Sequence, residues 1–386
     1  MPRIINNPNS DDLRLEFTLS DVDVAYANGI RRTIIANIPI VVFNTSLREE
    51  NKNDCEISVN TSRLNNEIIK QRLSCIPIHM NDTSEFEQFI NDHILEIDVE
   101  NNTDEVLMVT TNDFKVKNIN TGEYLSERQQ RILFPPYIDS IHGQEHFIQF
   151  ARLRPRISSE IPGEKLSLTC KFSIATAKDD SSFNVAGTCS YKRTPDLHAI
   201  SQELTVKEAE FKSKGLNDNE IIFEKKNWQL LDGMRIVVPN SFDFVIETIG
   251  IYSNERLVNI ACIIMNDELD VIKTLLAEGN IEIVPSNNTK PNCFEIYFKN
   301  YDYTIGNIIN KEMFNLFFNS GQIHSVSVKK IHPHDDFITM EVSIVNNQSP
   351  QENLIRMLTE ACNSAQNILK SIRNELKKLK KSQQEE

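Results

Sequence analysis

Residues 13–39, LRLEFTLSDVDVAYANGIRRTIIANIP, read as a strand, a capped helix and a stop. Leu13, Leu15, Phe17 and Leu19 alternate with Arg14, Glu16, Thr18 and Ser20, the period of a half-buried strand. Ser20 followed by Asp23 is a partial capping box and predicts a helix over 21–37. Ala27, Ile30, Ile34, Ile35 and Ile38 then recur at helical spacing, and Pro39 ends the element. The irregular part is Asn28-Gly29-Ile30-Arg31-Arg32. A glycine inside a helix costs about 1 kcal/mol relative to alanine. Two adjacent arginines point to different azimuths, so one lies near the apolar stripe and the other in solvent. The plain reading is a solvated arginine pair on an amphipathic helix; the functional one is a contact surface.

The far end of the chain repeats this grammar. Phe294, Ile296 and Phe298 alternate as a strand. Asp302-Tyr303-Thr304-Ile305-Gly306-Asn307 opens a helix carrying Ile305, Ile308, Ile309, Met313, Leu316 and Phe317. Strands are predicted at 323–330 and 337–345, and Pro350 starts a long helix with Leu354, Leu358, Ala361, Ala365, Ile368, Ile372 and Leu376 at spacings of three and four. The first half gives the same order broken open: strand 13–19, helix 21–37 and strand 39–47, then a strand at 242–248 and a helix from Ser253 with Leu257, Ile260, Ala261, Ile264, Ile272 and Leu275 inward. Ala27-Asn28-x-Ile30 aligns with Gly306-Asn307-x-Ile309. An internal repeat governs the whole fold. The expected class is α+β: two strand-helix-strand-strand-helix units of one ancestry, the first interrupted by a mainly β insert. The expected division is 1–47 plus 236–278 for unit one, 48–195 for the insert, 196–235 for a polar helical excursion holding Trp228, 279–291 for a linker, and 292–386 for unit two.

Bulk properties narrow the function. The chain has 386 residues, 40% of them apolar, enough for two or three cored domains. Its apolar runs, Ile38–Phe43 among them, are far short of the roughly 18 residues of a membrane span. The opening MPRIINNPNSDD has no apolar region, which argues against a secretory signal. Seven scattered cysteines without a CxxC pair point to reduced thiols in a cytosol-like compartment and against a zinc ribbon. The net charge of −14 argues against gripping nucleic acid by the protein's own surface, since phosphate neutralisation supplies most of such affinity. Arg152, Arg154 and Arg156 fall on one side of an extended segment, either a charge-guarded strand edge or a docking stripe for an acidic partner.

Several stretches in this order carry a resemblance. Ala27–Pro39 is similar to the first helix of the α-type assembly subunits of multisubunit DNA-dependent RNA polymerases. Thr61-Ser62-Arg63-Leu64 through Arg72-Leu73-Ser74-Cys75-Ile76-Pro77-Ile78 resembles that family's insert signature, and Val99-Glu100-Asn101-Asn102-Thr103-Asp104 its V-x-N-x-T-D. Asp302–Asn307 resembles the D-H-T-L-G-N of the small dimer partner. The chain thus looks like the third-largest subunit fused to its small partner, an arrangement similar to that in large DNA viruses; the host cytoplasm or virion would then be its location.

The resemblance implies a non-catalytic platform for the largest and second-largest subunits, with other small subunits as further partners and no cofactor. It implies large-subunit docking at Arg31, Arg32, Asn28, Arg72 and Lys178, the last in Ile174–Asp180, which only loosely matches the family's glycine- and lysine-rich stretch. It implies a pseudo-dimer seam at Ile30, Ile34, Ile35, Leu257, Ile264, Ile305, Ile309, Leu358, Ala365 and Ile372. DNA and RNA would be met only through the complex. Many third-largest subunits bind zinc through insert cysteines; none stands between Cys75 and Cys170, so no such zinc and no metal is expected. The one competing enzymatic reading is a metal-dependent hydrolase at His332, His334 and Asp335. Those residues sit between two predicted strands, where His-Pro-His-Asp-Asp is ordinary turn chemistry. The sequence has no GxxxxGK[ST], GxSxG or HExxH motif.

Overall fold

A computed structural model describes residues 2–6, 13–46, 53–139, 141–158, 160–286, 290–345 and 349–384, with side chains to Lys378. Its helices are α1 (Val24–Ala36), α2 (Asn66–Ser74), α3 (Phe86–Asp92), α4 (Glu127–Leu133), α5 (Leu197–Ser213), α6 (Asp218–Leu230), α7 (Asn254–Ala277), α8 (Tyr303–Met313) and α9 (Pro350–Gln384). They combine with antiparallel sheets in an α+β fold. The chain forms two compact units: residues 1–34 with 188–247 and 254–386, and residues 35–187 with 248–253.

The first unit holds two four-stranded sheets. One has the spatial order Arg3–Asn6, Arg14–Ser20, Val237–Thr248, Ala186–Pro195; the other Glu282–Pro285, Cys293–Lys299, Phe337–Ile344, Ile323–Lys329. Numbered along the chain within each half, both read first, second, fourth, third, so the repeat is topological as well as sequential. The alternation of Leu15, Phe17 and Leu19 buries those side chains, and Phe17 stacks on its cross-strand partner Phe244 at 5.0 Å between ring centres.

Three expectations are corrected here. The third strand of the first half is Ala186–Pro195, not 39–47; only Ile40–Val42 is strand in that region, and it pairs with Ser173–Ala175, both within the second unit. The insertion therefore follows α1 directly. The 279–291 stretch, read as a linker, contains Glu282–Pro285, the outer strand of the second sheet. The helix begins at Val24 rather than 21, because Asp23 and not Ser20 caps it: Asp23 Oδ1 accepts from the Ala25 N–H at 2.9 Å.

Residues 196–235 fold as the α5–α6 hairpin, where the second half has only the turn before Phe337. Trp228 packs on Gly233 within this hairpin.

The second unit is built on the sheet Cys55–Asn60, Lys165–Lys171, His93–Glu100, Lys115–Asn118. Its core gathers Phe43, Phe114, Phe134, Phe150 and Phe172, with Phe114 edge-on to both Phe134 and Phe150 at 5.4 Å.

Candidate pairing and docking surfaces

The seam in the first unit starts from two equivalent helices. The buried positions of α1 are Tyr26, Ala27, Gly29, Ile30, Thr33 and Ile34. Adding 279 to each gives Ile305, Gly306, Ile308, Ile309, Glu312 and Met313, all buried in α8. Both helices lay down the same face because both carry the same apolar spacing.

Gly29 explains itself in this setting. A Cβ there would stand 3.1 Å from Ile308 Cδ1 and 3.1 Å from Met265 Sδ, so the glycine lets α1 approach α8 and α7 closely. Gly306 does the same for α8 against its own sheet, with Ile338 Cδ1 at 2.4 Å from a built Cβ. The long helices α7 and α9 pack along each other, and α9 also packs on α8. Gln366, almost fully buried, is satisfied at both ends: its Nε2 donates to the Asn266 carbonyl at 3.0 Å and its Oε1 accepts from Lys273 at 2.8 Å. Arg373 Nε donates to Asn259 Oδ1 at 2.9 Å.

Charge pairs tie the two helix starts. Asp302 Oδ1 accepts from the Thr304 N–H at 2.7 Å, and its Oδ2 accepts from Arg32 at 2.8 Å. Asp23 Oδ1 caps α1, and its Oδ2 lies 3.1 Å from Lys311 Nζ. Asp23 and Asp302, like Arg32 and Lys311, are 279 positions apart, so each acid caps its own helix and holds the base of the other. Burial works against the Asp302 carboxylate, yet the Thr304 hydroxyl and N–H and the Arg32 guanidinium hold its pKa below the ordinary value. Between these pairs Tyr26 donates to Glu312 Oε1 at 2.9 Å, and Ser364 of α9 donates to Glu312 Oε2 at 2.6 Å. Burial first, then the Glu312 charge, pushes the Tyr26 phenol up.

The structure brings Ile30, Ile34, Leu257, Ile305, Ile309, Leu358, Ala365 and Ile372 into the buried interior of this unit. Ile264 is half-buried, and Met265 takes the inward place beside Gly29. Ile35 is 39% exposed and is not in the buried seam, since one helical residue turns it about 100° from Ile34.

Of the expected docking residues, Arg32 is engaged by Asp302 and by Thr304 Oγ1 at 2.9 Å. Arg31 donates from Nε and a terminal nitrogen to Asn28 Oδ1, at 3.2 and 2.9 Å, on its own helix. Arg72 and Lys178 lie in the second unit. Arg72 caps a strand edge, donating to the Phe150 carbonyl at 2.7 Å and the Gln149 carbonyl at 2.8 Å. Lys178 has an exposed side chain, and its N–H donates to the Ala36 carbonyl at 2.9 Å.

The buried positions of the insert motifs hold the fold. Asn101 is fully buried; its Nδ2 donates to the Glu105 and Leu153 carbonyls at 2.8 and 2.9 Å, while its Oδ1 accepts from the Thr103 N–H and hydroxyl at 3.0 and 2.7 Å. Leu73, Ile76 and Ile78 are core. Asp23, Asp302, Tyr26 and Glu312 were missed as functional residues. The repeat offset that aligns Ala27 with Gly306 would also have aligned the two acids.

The His332 turn does not assemble a ligand set. Asp335 Oδ2 accepts from the His332 N–H at 2.8 Å and His332 Nδ1 from the His334 N–H at 3.2 Å, while both imidazoles point into solvent. Among the described residues no group of three or more His, Cys, Asp or Glu side chains is placed to hold a metal ion. Burial pushes the Cys189, Cys262 and Cys362 thiols up to about 12, away from nucleophilic use. No helix among the described residues is long and apolar enough to cross a membrane.

A family model for the RNA polymerase Rpb3/Rpb11 dimerisation domain matches residues 16–269. A conjugation stage-specific protein of Tetrahymena thermophila is 30% identical over 126 residues, 30% of this chain and 37% of that protein, so the match spans little more than a third of the relative's length.

Proposed function

Because the chain belongs to the RNA polymerase Rpb3/Rpb11 dimerisation family, we propose that it is an assembly subunit of a DNA-dependent RNA polymerase in which both partners of the dimer are carried on one polypeptide. The first partner comprises residues 1–34, 188–247 and 254–278 and is interrupted by the 35–187 insert; the second follows from 280. The family match ends at residue 269, before the second sheet. The second half therefore rests on the observation that carries the proposal: Asp23 holds Lys311 while Asp302 holds Arg32. Reciprocal contacts of this kind are what a two-fold interface requires, residue i touching j and j touching i.

The family is non-catalytic, and catalysis in the proposed complex belongs to the two large subunits that dock on the clasped halves. Fusion places the halves at an effective concentration of roughly millimolar or above, which makes pairing part of folding. The hydrolase alternative has no supporting observation.

The test has two arms. A protease site placed at Gly279-Asn280, between the end of α7 and the first strand of the second sheet, cuts the chain between the halves; they should stay together through gel filtration. Affinity purification of the tagged full-length chain from its native cells should bring down the two largest polymerase subunits. Separation of the cut halves would overturn the pairing, and purification without polymerase subunits would overturn the assembly role.

A further inference from the structure

Arginines from three elements of the second unit converge on one groove. Arg63 comes from the loop before α2, Arg72 from α2 itself, and Arg152 and Arg154 from strand Gln149–Leu153 and the residue after it. The groove has a volume of about 550 Å³ and includes Leu64 and Val106 in its lining. Val106 is 56% exposed, an apolar side chain left facing water between the arginines.

The charges are unequally spent. The one acid lining the groove, Glu164, is itself buried and is taken by Arg154, accepting from its N–H at 2.7 Å and from its Nε. Arg72 spends two nitrogens on strand carbonyls. Arg63 and Arg152 are exposed and have no acidic partner among the described residues. A chain with a net charge of −14 thus gathers four guanidinium groups around an apolar patch and, among the described residues, supplies a single carboxylate there.

We propose that this groove binds an acidic peptide segment of a partner protein, with carboxylates on Arg63 and Arg152 and a large apolar side chain over Leu64 and Val106. The planar guanidinium fork takes a carboxylate by two parallel hydrogen bonds. The exposed apolar floor gives the segment an anchor that a plain polyanion would not use. Single-stranded nucleic acid fits less well. Binding of that kind stacks bases on exposed rings, and the one aromatic residue lining the groove, Phe150, is fully buried. The proposal stands on the groove's geometry and does not depend on the assembly role.

The experiment is fluorescence anisotropy on the full chain with four labelled probes: the peptides EDDFELDE, EDDSESDE and KRRFKLKR, and octauridylate. EDDFELDE should bind most tightly, and the double variant Arg63→Glu/Arg152→Glu should weaken it about tenfold or more. Those two side chains are exposed and unpaired, so the fold should tolerate the change. EDDSESDE, without the apolar anchor, should bind more weakly. The proposal is overturned if the double variant binds EDDFELDE as the parent does, if EDDSESDE or KRRFKLKR binds equally well, if octauridylate binds more tightly, or if Arg235→Glu in the other unit costs as much.

Discussion

Tyr26 donates its hydroxyl to Glu312 Oε1 at 2.9 Å across 286 positions of sequence, and both side chains are buried. The carboxylate's other oxygen is taken by Ser364. A buried charge is tolerated when its lone pairs are met, and removing one donor exposes the desolvation cost of the group left behind. Tyr26→Phe keeps the ring and removes only the donor. It should destabilise the protein by about 1–3 kcal/mol, read as a lower urea midpoint with an unchanged slope. Glu312→Gln should cost less, because it removes the charge along with one acceptor. An unaltered midpoint for Tyr26→Phe would mean that the carboxylate reaches water.

The two seam glycines should respond differently to alanine. At Gly29 the new Cβ would crowd the flexible tips of Ile308 and Met265, each at 3.1 Å, with Thr304 Cγ2 at an ordinary 3.9 Å, and alanine regains about 1 kcal/mol of helix propensity. Gly29→Ala should therefore lie within about 1 kcal/mol of the parent, while the larger Gly29→Val should lose about 1–3 kcal/mol to overpacking. At Gly306 the Cβ would fall 2.4 Å from Ile338 Cδ1 and 3.2 Å from Cγ1 of the stiff Val328. Gly306→Ala should be the more damaging alanine, and thermal unfolding of the three variants checks the ranking.

How much of this could be read beforehand depends on the kind of signal. The seam was legible because Ile30, Ile34, Ile305 and Ile309 lie on stripes with helical period. The place of the third strand in the first sheet was not. Ala186–Pro195 mixes buried and exposed residues without clean alternation, whereas Ile40–Val42 is buried throughout and looks like a strand of any sheet. Burial on both faces erases the period that would say which sheet a strand joins. The charged pairs were hidden for another reason. Arg32 and Asp302 are each unremarkable in their own helix, and only the packing of the halves makes them partners.

The Asp302 carboxylate, hydrogen-bonded by Thr304 and paired with Arg32, should be visible in the pH dependence of stability. The Asp302 pKa is held below its ordinary 3.8 in the folded protein, so the unfolded chain takes up its proton first as pH falls. The stabilisation is present above 3.8 and is lost as the pH drops through the lower folded value. Asp302→Asn retains a good helix cap and removes the charge. Both partners are about half exposed, so the difference at neutral pH should be no more than about 1 kcal/mol. It should shrink towards zero below pH 3.8. A difference that persists there would show that the effect is not that of the carboxylate's charge.

Arg31 and Arg32 are neighbours in sequence, and their geometry separates their roles. Arg32 reaches across to Thr304 and Asp302 of the other half. Among the described residues Arg31 is hydrogen-bonded to Asn28 on its own helix, which orients the guanidinium and leaves further donors for a partner. Arg32→Glu places a second acid beside Asp302 and should lower the unfolding midpoint. Arg31→Glu removes none of these contacts between the halves and should lower that midpoint less than Arg32→Glu does. In the proposed assembly the order reverses: Arg31→Glu should weaken copurification with the second-largest polymerase subunit. Measuring both variants in both assays separates the functions, and equal recovery of that subunit with Arg31→Glu would remove Arg31 from the docking surface.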